Sequence, residues 1–281
     1  MEKLIAGTKV TADAKAAAGV VAAAETCSGS TGFCDFSIIV KKCHEECGDS
    51  AFAYSDAKKA VIGIFDGVSG EPGAALASSA AASAALLHLK ALDRCDGKQM
   101  KEALMQAQLA VSAGYTTAIV LFLHADGSFI IAGVGDSPAY GISSGGKISL
   151  EIPPSRTTGD RDSIFKFFYF RNLVTAVLGP GGKDVAINMR SGKLKKGEVI
   201  IIASDGLLDN LWVKVHDGYV ADSSGTADLA GLIGKERSPK KIIALLVKEI
   251  VTRIKAGKKE KAGLMLVPKE DDIAIAALRF K

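Results

Sequence analysis

The sequence predicts an α+β layer fold built on antiparallel sheets. Three observations predict it. Short apolar or β-branched runs at residues 36–42, 50–54 and 60–65 are separated by polar turns, the pattern of hairpin-connected strands. Two helical stretches, 73–89 and 98–112, follow one another with no strand between them. A strand meander then covers 116–152. Helices that come in blocks, rather than alternating with single strands, argue against a doubly wound parallel sheet.

The elements follow in order. Residues 1–35 carry little pattern and read as a partly flexible N-terminal extension, with 12–24 helical and 27–32 a turn or linker. A single domain is expected from 36 to 281. Residues 56–59 connect the second and third strands as a hairpin turn. The 73–89 stretch is rich in Ala and Leu and suits a buried helix packed closely on a sheet. The 98–112 helix places Met100, Ala103, Leu104, Ala107 and Val111 at helical spacing. Strand 116–124 leads through the Asp126-Gly127 hairpin signal to its partner, 128–134. Strands 139–142 and 147–152 continue the meander, and 153–172 mixes basic and aromatic residues that could cover a site. Residues 198–203 are near-continuous Val and Ile, a buried strand. A short helix is expected over 207–213, a loop-rich region over 218–234 and an amphipathic helix over 239–254. A basic loop at 257–263 precedes the last strand, 273–280.

Composition narrows the function. A hydrophobic fraction of 48% and a charged fraction of 23% are ordinary for a globular protein. The net charge of +4 is small, and its Lys clusters read as solvated turns, so no nucleic-acid partner is expected. Residues 12–24 are too short and too weakly hydrophobic to span a bilayer or to serve as a signal peptide. The odd count of five cysteines favours reduced thiols and a cytoplasmic location. Cys43 and Cys47 could join Cys27, Cys34 or His44 around zinc, but the spacing is irregular and plain thiols are the simpler reading.

Four acidic motifs carry the chemistry. They are Asp66-Gly67-Val68-Ser69-Gly70, Gly135-Asp136-Ser137, Ser204-Asp205-Gly206-Leu207-Leu208-Asp209-Asn210 and Glu270-Asp271-Asp272-Ile273. Each sets an Asp at or beside the end of a run that reads as a strand. Carboxylates converging without matching cations repel, and a bound hard metal resolves that. A pair of Mg²⁺ or Mn²⁺ ions can share one water and make it a nucleophile suited to a phosphoester. Gly67, beside Asp66, lets the backbone approach a ligand closely.

Five pieces, in this order, resemble the metal-dependent protein phosphatases, the PPM family, also called type 2C serine/threonine phosphatases. They are Phe65-Asp66-Gly67-Val68-Ser69-Gly70, Gly114-Tyr115-Thr116-Thr117-Ala118, Val134-Gly135-Asp136-Ser137-Pro138-Ala139-Tyr140, Ala203-Ser204-Asp205-Gly206-Leu207-Leu208-Asp209-Asn210 and Asp271-Asp272-Ile273-Ala274. The resemblance implies a four-layer α-β-β-α sandwich of two antiparallel sheets, with a metal cleft between the sheets. It implies that Asp66 bridges two Mg²⁺ or Mn²⁺ ions and that Gly67 contributes its carbonyl. Asp205 and Asp271 would hold one metal, with Asp271 preferred over Asp272. Asp136 with Asp205 matches a weaker third site. Asp49 fits the second member of an acidic pair whose first place is taken by Gly48.

The implied reaction is attack of a metal-bridging hydroxide on phosphoserine or phosphothreonine of a phosphoprotein, without a phosphoenzyme. Several positions depart from the pattern. His44 stands where a phosphate-binding Arg is usual, and an imidazole lacks the bidentate fork. Val68 and Glu71 occupy places where many members carry His, which leaves the general acid unassigned. Pro138 stands where Arg is common. These departures motivate two other readings: a non-catalytic phosphatase-like domain that binds a partner protein, and a hydrolase of small phosphoesters.

Overall fold

Strands buried on both faces set the layers. In the computed structural model, which describes residues 17–22, 25–43, 47–70, 72–155, 173–181, 185–215, 218–221, 225–259 and 269–281, two six-stranded antiparallel sheets stack face to face. One contains β1 (Ala17–Ala22), β4 (Asp49–Ser55), β5 (Lys59–Asp66), β6 (Ala118–His124), β7 (Ser128–Val134) and β10 (Asn188–Lys193), in the order β1-β4-β5-β6-β7-β10. The other contains β2 (Glu25–Ser30), β3 (Cys34–Lys41), β8 (Ala139–Ile142), β9 (Ile148–Ile152), β11 (Val199–Ala203) and β14 (Ile273–Phe280), in the order β2-β3-β14-β11-β8-β9. A hairpin of β12 (Trp212–Val215) and β13 (Gly218–Ala221) stands apart from both.

Successive side chains on a strand point to opposite faces, and here both faces are covered. On β5, Ile62 and Ile64 enter the core between the sheets, while Val61 and Phe65 meet α1 (Ala74–Lys90) and α2 (Gly97–Ala110). On β14, Ala274, Ala276 and Leu278 face the other sheet. Ile273, Ile275 and Ala277 face α4 (Thr226–Ile233) and α5 (Pro239–Lys259). The result is the four-layer α-β-β-α sandwich that the resemblance implies. None of the helices, among the described residues, is long and apolar enough to cross a membrane.

Local chemistry agrees with the larger plan. Asp126 Oδ1 accepts from the amide of Ser128 at 2.8 Å, and Gly127 takes a φ of 85°, which closes the β6–β7 hairpin at the expected dipeptide. Asp96 and Gln99 form a capping box at the start of α2. The buried Lys59 donates to the carbonyls of Lys90, at 2.7 Å, and Leu92. A cation there satisfies carbonyl groups at and just beyond the C-terminus of α1 and suits its dipole.

Several expectations need correction. Residues 17–22 form a strand, not a helix, and 25–30 form a strand, not a linker, so the sheets begin ahead of residue 36. Residues 188–193 form the edge strand β10, which the sequence pattern did not show. The helix expected over 207–213 is the single turn α3 (Asp205–Leu208), and Trp212 already belongs to β12. The expected loop region 218–234 holds β13 and α4. Residues 257–259 of the expected basic loop extend α5, while 260–263 and most of the 153–172 segment lie outside the described residues.

Candidate functional site

The acidic motifs meet at one end of the sandwich. Asp49 opens β4 and Asp66 closes β5, and the two stand opposite each other in the antiparallel register. Asp136 follows β7 in the same sheet. From the other sheet, Asp205 follows β11 and Asp271 precedes β14. The sheets are joined here by side chains. Ser204 donates its hydroxyl to Asp49 Oδ2 at 2.8 Å and accepts from the amide of Ala274 at 2.9 Å. The amide of Asp205 approaches Asp66 Oδ2 at 3.4 Å.

The Gly-Tyr-Thr-Thr piece holds the main chain of Asp66. Its carbonyl accepts from the Thr116 hydroxyl at 2.9 Å and from the Thr117 amide at 2.8 Å. Gly67 lies between two backbones: a Cβ there would meet the carbonyl oxygens of Ala74 at 2.6 Å and Gly48 at 2.7 Å. The same crowding reaches Gly48, whose Cβ would stand 3.2 Å from the Gly67 carbonyl oxygen. Glycine at 48 therefore fits the close approach of the two loops.

The electrostatics are those of a crowded carboxylate cluster, in which Asp49, Asp136, Asp205 and Asp271 are buried and Asp66 is half-buried at the end of β5. Burial, then repulsion from Asp205, Asp49, Asp136 and Asp271, raises the Asp66 carboxyl well above the usual carboxylate range. Asp49 is raised as well, chiefly by burial, against the stabilising Ser204 hydrogen bond. Asp271 is raised by burial and by Asp205, and Lys269 opposes this. Loss of hydration disfavours the charged form, and each further carboxylate adds to the cost.

A cation is present in the chain itself. The Lys269 ammonium lies 2.5 Å from Asp205 Oδ2, 2.7 Å from Asp271 Oδ2 and 3.4 Å from Asp209 Oδ2. Attraction from these carboxylates outweighs burial and holds its pKa above the usual lysine value. The premise that the carboxylates lack a matching cation is thus corrected in part. Sequence reasoning assigned no role to Lys269 or Asp209. The signals available were the four-residue spacing of Asp205 and Asp209, which sets them on one side of a helical turn, and a Lys two residues before Asp271.

Asp271 and Asp272 have different jobs. Asp271 turns to Lys269, whereas Asp272 accepts from the amides of Cys43 at 2.6 Å and Gly48 at 2.7 Å. Asp272 thus ties the chain on either side of residues 44–46 to the start of β14. His44, the sequence candidate for phosphate, lies outside the described residues. Asp272→Ala is expected to lower stability by about 2 kcal/mol, because it leaves two amides without their charged acceptor. It should also speed hydrogen exchange at Cys43 and Gly48. Unchanged melting and exchange would show that the carboxylate does not hold these two amides.

The donor set is hard oxygen, the chemistry of Mg²⁺ and Mn²⁺. Several buried carboxylates also need more positive charge than one ammonium supplies. Among the described residues, no three Asp, Glu, His or Cys side chains yet converge on a common point as metal ligands do. By donor chemistry the residues fit a divalent cation, with the Asp205–Asp271 pair drawn instead onto Lys269.

No protein-family model matches the chain, and no curated protein matches it. Solved structures do. The structure of RsbX in complex with magnesium is 16% identical with a TM-score of 0.61, over 92% of this chain and 100% of that one. The photosystem II phosphatase PBCP is 20% identical with a TM-score of 0.58, over 83% and 92%. The PPM Ser-Thr phosphatase MsPP from Mycobacterium smegmatis, in complex with cacodylate, is 16% identical with a TM-score of 0.62, over 88% and 98%. At these identities the likeness is one of fold: this chain has the fold of the PPM phosphatases.

Proposed function

We propose that this chain, with the fold of the PPM phosphatases, is a divalent-metal-dependent phosphatase acting on phosphoserine and phosphothreonine in proteins. One observation carries the reading: carboxylates from both sheets, the buried Asp49, Asp136, Asp205 and Asp271 and the half-buried Asp66, repel one another at one end of that fold. Asp66, Gly67, Asp205 and Asp271 would hold two Mg²⁺ or Mn²⁺ ions, with Asp49 a weaker contributor. Asp136 would serve a third ion with Asp205. When bound, such cations acidify water to a nucleophile and neutralise phosphoryl oxygens. The magnesium and cacodylate of the similar structures agree with this.

The chain's own groups do the positioning. Ser204 orients Asp49 across the sheet–sheet boundary. Thr116 and Thr117 fix the main chain that presents Asp66 and Gly67. Burial removes competing water, which strengthens every charge interaction in the site. His44 remains the candidate for substrate phosphate, and no side chain is assigned as the general acid for the leaving alkoxide. The five cysteines are free thiols, in keeping with a cytoplasmic location. The segment 153–172 is the candidate for recognising the phosphoprotein.

The test is hydrolysis of p-nitrophenyl phosphate and of phosphoserine and phosphothreonine peptides across a Mn²⁺ titration. Mn²⁺-stimulated release of phosphate from the peptides is expected. Turnover of small phosphoesters alone would overturn the protein-substrate assignment. The ammonium within the cluster favours a second reading, a non-catalytic domain that binds a partner protein. A folded protein inactive with every divalent metal would establish that reading against ours.

A further inference from the structure

Lys269 occupies carboxylates that the proposed metal chemistry needs. Its side chain is only 18% exposed. Both ends of the residue are gripped by the segment that carries Asp205. Asp205 and Asp209 take the ammonium, while Asn210 Nδ2 donates to the Lys269 carbonyl at 3.0 Å and to the Gly206 carbonyl at 2.9 Å. A solvated surface lysine would have neither the backbone anchor nor three carboxylates around its head. The arrangement joins Lys269 to both members of the metal-holding pair.

Geometry makes the two cations exclusive. A divalent ion of the Mg²⁺ class draws its oxygens to about 2.0–2.1 Å. One oxygen each of Asp205 and Asp271, Oδ2 in both, stands 2.5 and 2.7 Å from a positively charged nitrogen. A second cation between them would lie against the ammonium and be repelled. The four-carbon stem of lysine, with freely rotating bonds, lets the head leave without moving the backbone that Asn210 holds.

We propose that Lys269 is a built-in cation that holds the Asp205–Asp271 pair in the metal-free protein and competes with a divalent metal for it. Metal binding then expels the ammonium to solvent. The apparent metal affinity is reduced by the fraction of molecules in which Lys269 has swung out. The chain is therefore tuned to load at higher metal concentration than its carboxylates alone would require, and the metal-free cluster is spared its full repulsion. This inference rests on the metal reading of the same carboxylates.

Two measurements test it. Calorimetry with Mn²⁺ compares the wild type with Lys269→Met, and with Lys98→Met as a control at a lysine 85% exposed on α2. Lys269→Met is expected to bind Mn²⁺ about tenfold more tightly or better, since the competitor is gone, while Lys98→Met binds like the wild type. In parallel, amine acetylation of the wild type is mapped by mass spectrometry with and without Mn²⁺. Lys269 should react slowly without metal and faster with it, and Lys98 equally in both. Equal Mn²⁺ affinity of Lys269→Met and wild type, or Lys269 labelling unchanged at saturating Mn²⁺, overturns the competition and leaves the metal reading standing. Absence of Mn²⁺ binding in both proteins overturns the metal reading, and the competition with it. Where Lys269→Met fails to fold, the labelling of the wild type decides alone.

Discussion

Asp66→Asn is expected to reduce Mn²⁺-dependent phosphatase activity by about a thousandfold or more, equivalent to roughly 4 kcal/mol of activation barrier. Asp66 is the residue on which the repulsion of Asp205, Asp49, Asp136 and Asp271 converges, and the reading gives it both metals. An amide keeps the shape and removes the charge. The same substitution should not destabilise the metal-free fold, because it deletes one carboxylate from a buried cluster of like charges. The metal-free variant is therefore expected to melt no lower than the wild type. Activity and melting must be read together. Loss of activity with an unfolded protein would say nothing of metal, whereas a folded Asp66→Asn protein with near-normal turnover would sink the assignment.

Gly206→Ala has the largest expected effect on stability. A Cβ at 206 would stand 2.0 Å from the Asp272 carbonyl oxygen, with the Asp272 carbonyl carbon at 3.1 Å and Ile273 Cα at 3.4 Å behind it. These are backbone atoms at the entry to β14, so no side-chain rotation relieves the contact. Overpacking of this kind costs about 3 kcal/mol, or roughly 6–12 °C in melting temperature for a domain of this size. Displacing the start of β14 should also weaken Mn²⁺ binding, because Asp271 lies there. Gly231→Ala serves as the comparison. It sits inside α4, with no atom within 4 Å of the added Cβ, and should be neutral or stabilising by up to about 1 kcal/mol. Melting of Gly206→Ala within 2 °C (roughly the shift of a 1 kcal/mol change) of the wild type would refute the steric account.

The two substitutions also show which parts of the fold are written in local pattern. The central strands β3, β5, β6, β7, β11 and β14 were legible because the cores press on both of their faces, which demands an apolar residue at nearly every position. Three of the four strands at sheet edges, β1, β2 and β10, were not. Glu25–Ser30 and Asn188–Lys193 are polar, and β10 is largely exposed. An edge strand needs a partner backbone more than an apolar face, and charged or small residues there discourage unwanted pairing. The Ala-rich β1 has the local pattern of a helix, because alanine favours helix when nothing else decides. Its six backbone pairings with β4 decide otherwise.

The candidate site divides in the same way. The sequence by itself determined that Asp66, Asp136, Asp205 and Asp271 stand at strand ends, because turn chemistry and hydrophobic runs mark those ends locally, and the resemblance added Asp49. It also marked Gly67, beside Asp66, as a place of close backbone approach, although the atoms that approach, the Ala74 and Gly48 carbonyl oxygens, come from the tertiary structure. Only the tertiary structure decided the rest. Asp272 holds the amides of Cys43 and Gly48 while Asp271 faces the cluster, a difference that depends on which way two adjacent side chains turn. Gly206 is required by backbone 66 residues away, and Gly48 sits in a tight approach to the Gly67 carbonyl. Lys269 and Asp209 became part of the site only when β14 was laid beside β11. Coulomb interactions act through space and leave no period or spacing in the chain. The acids could therefore be found in the sequence, and the cation that answers them could not.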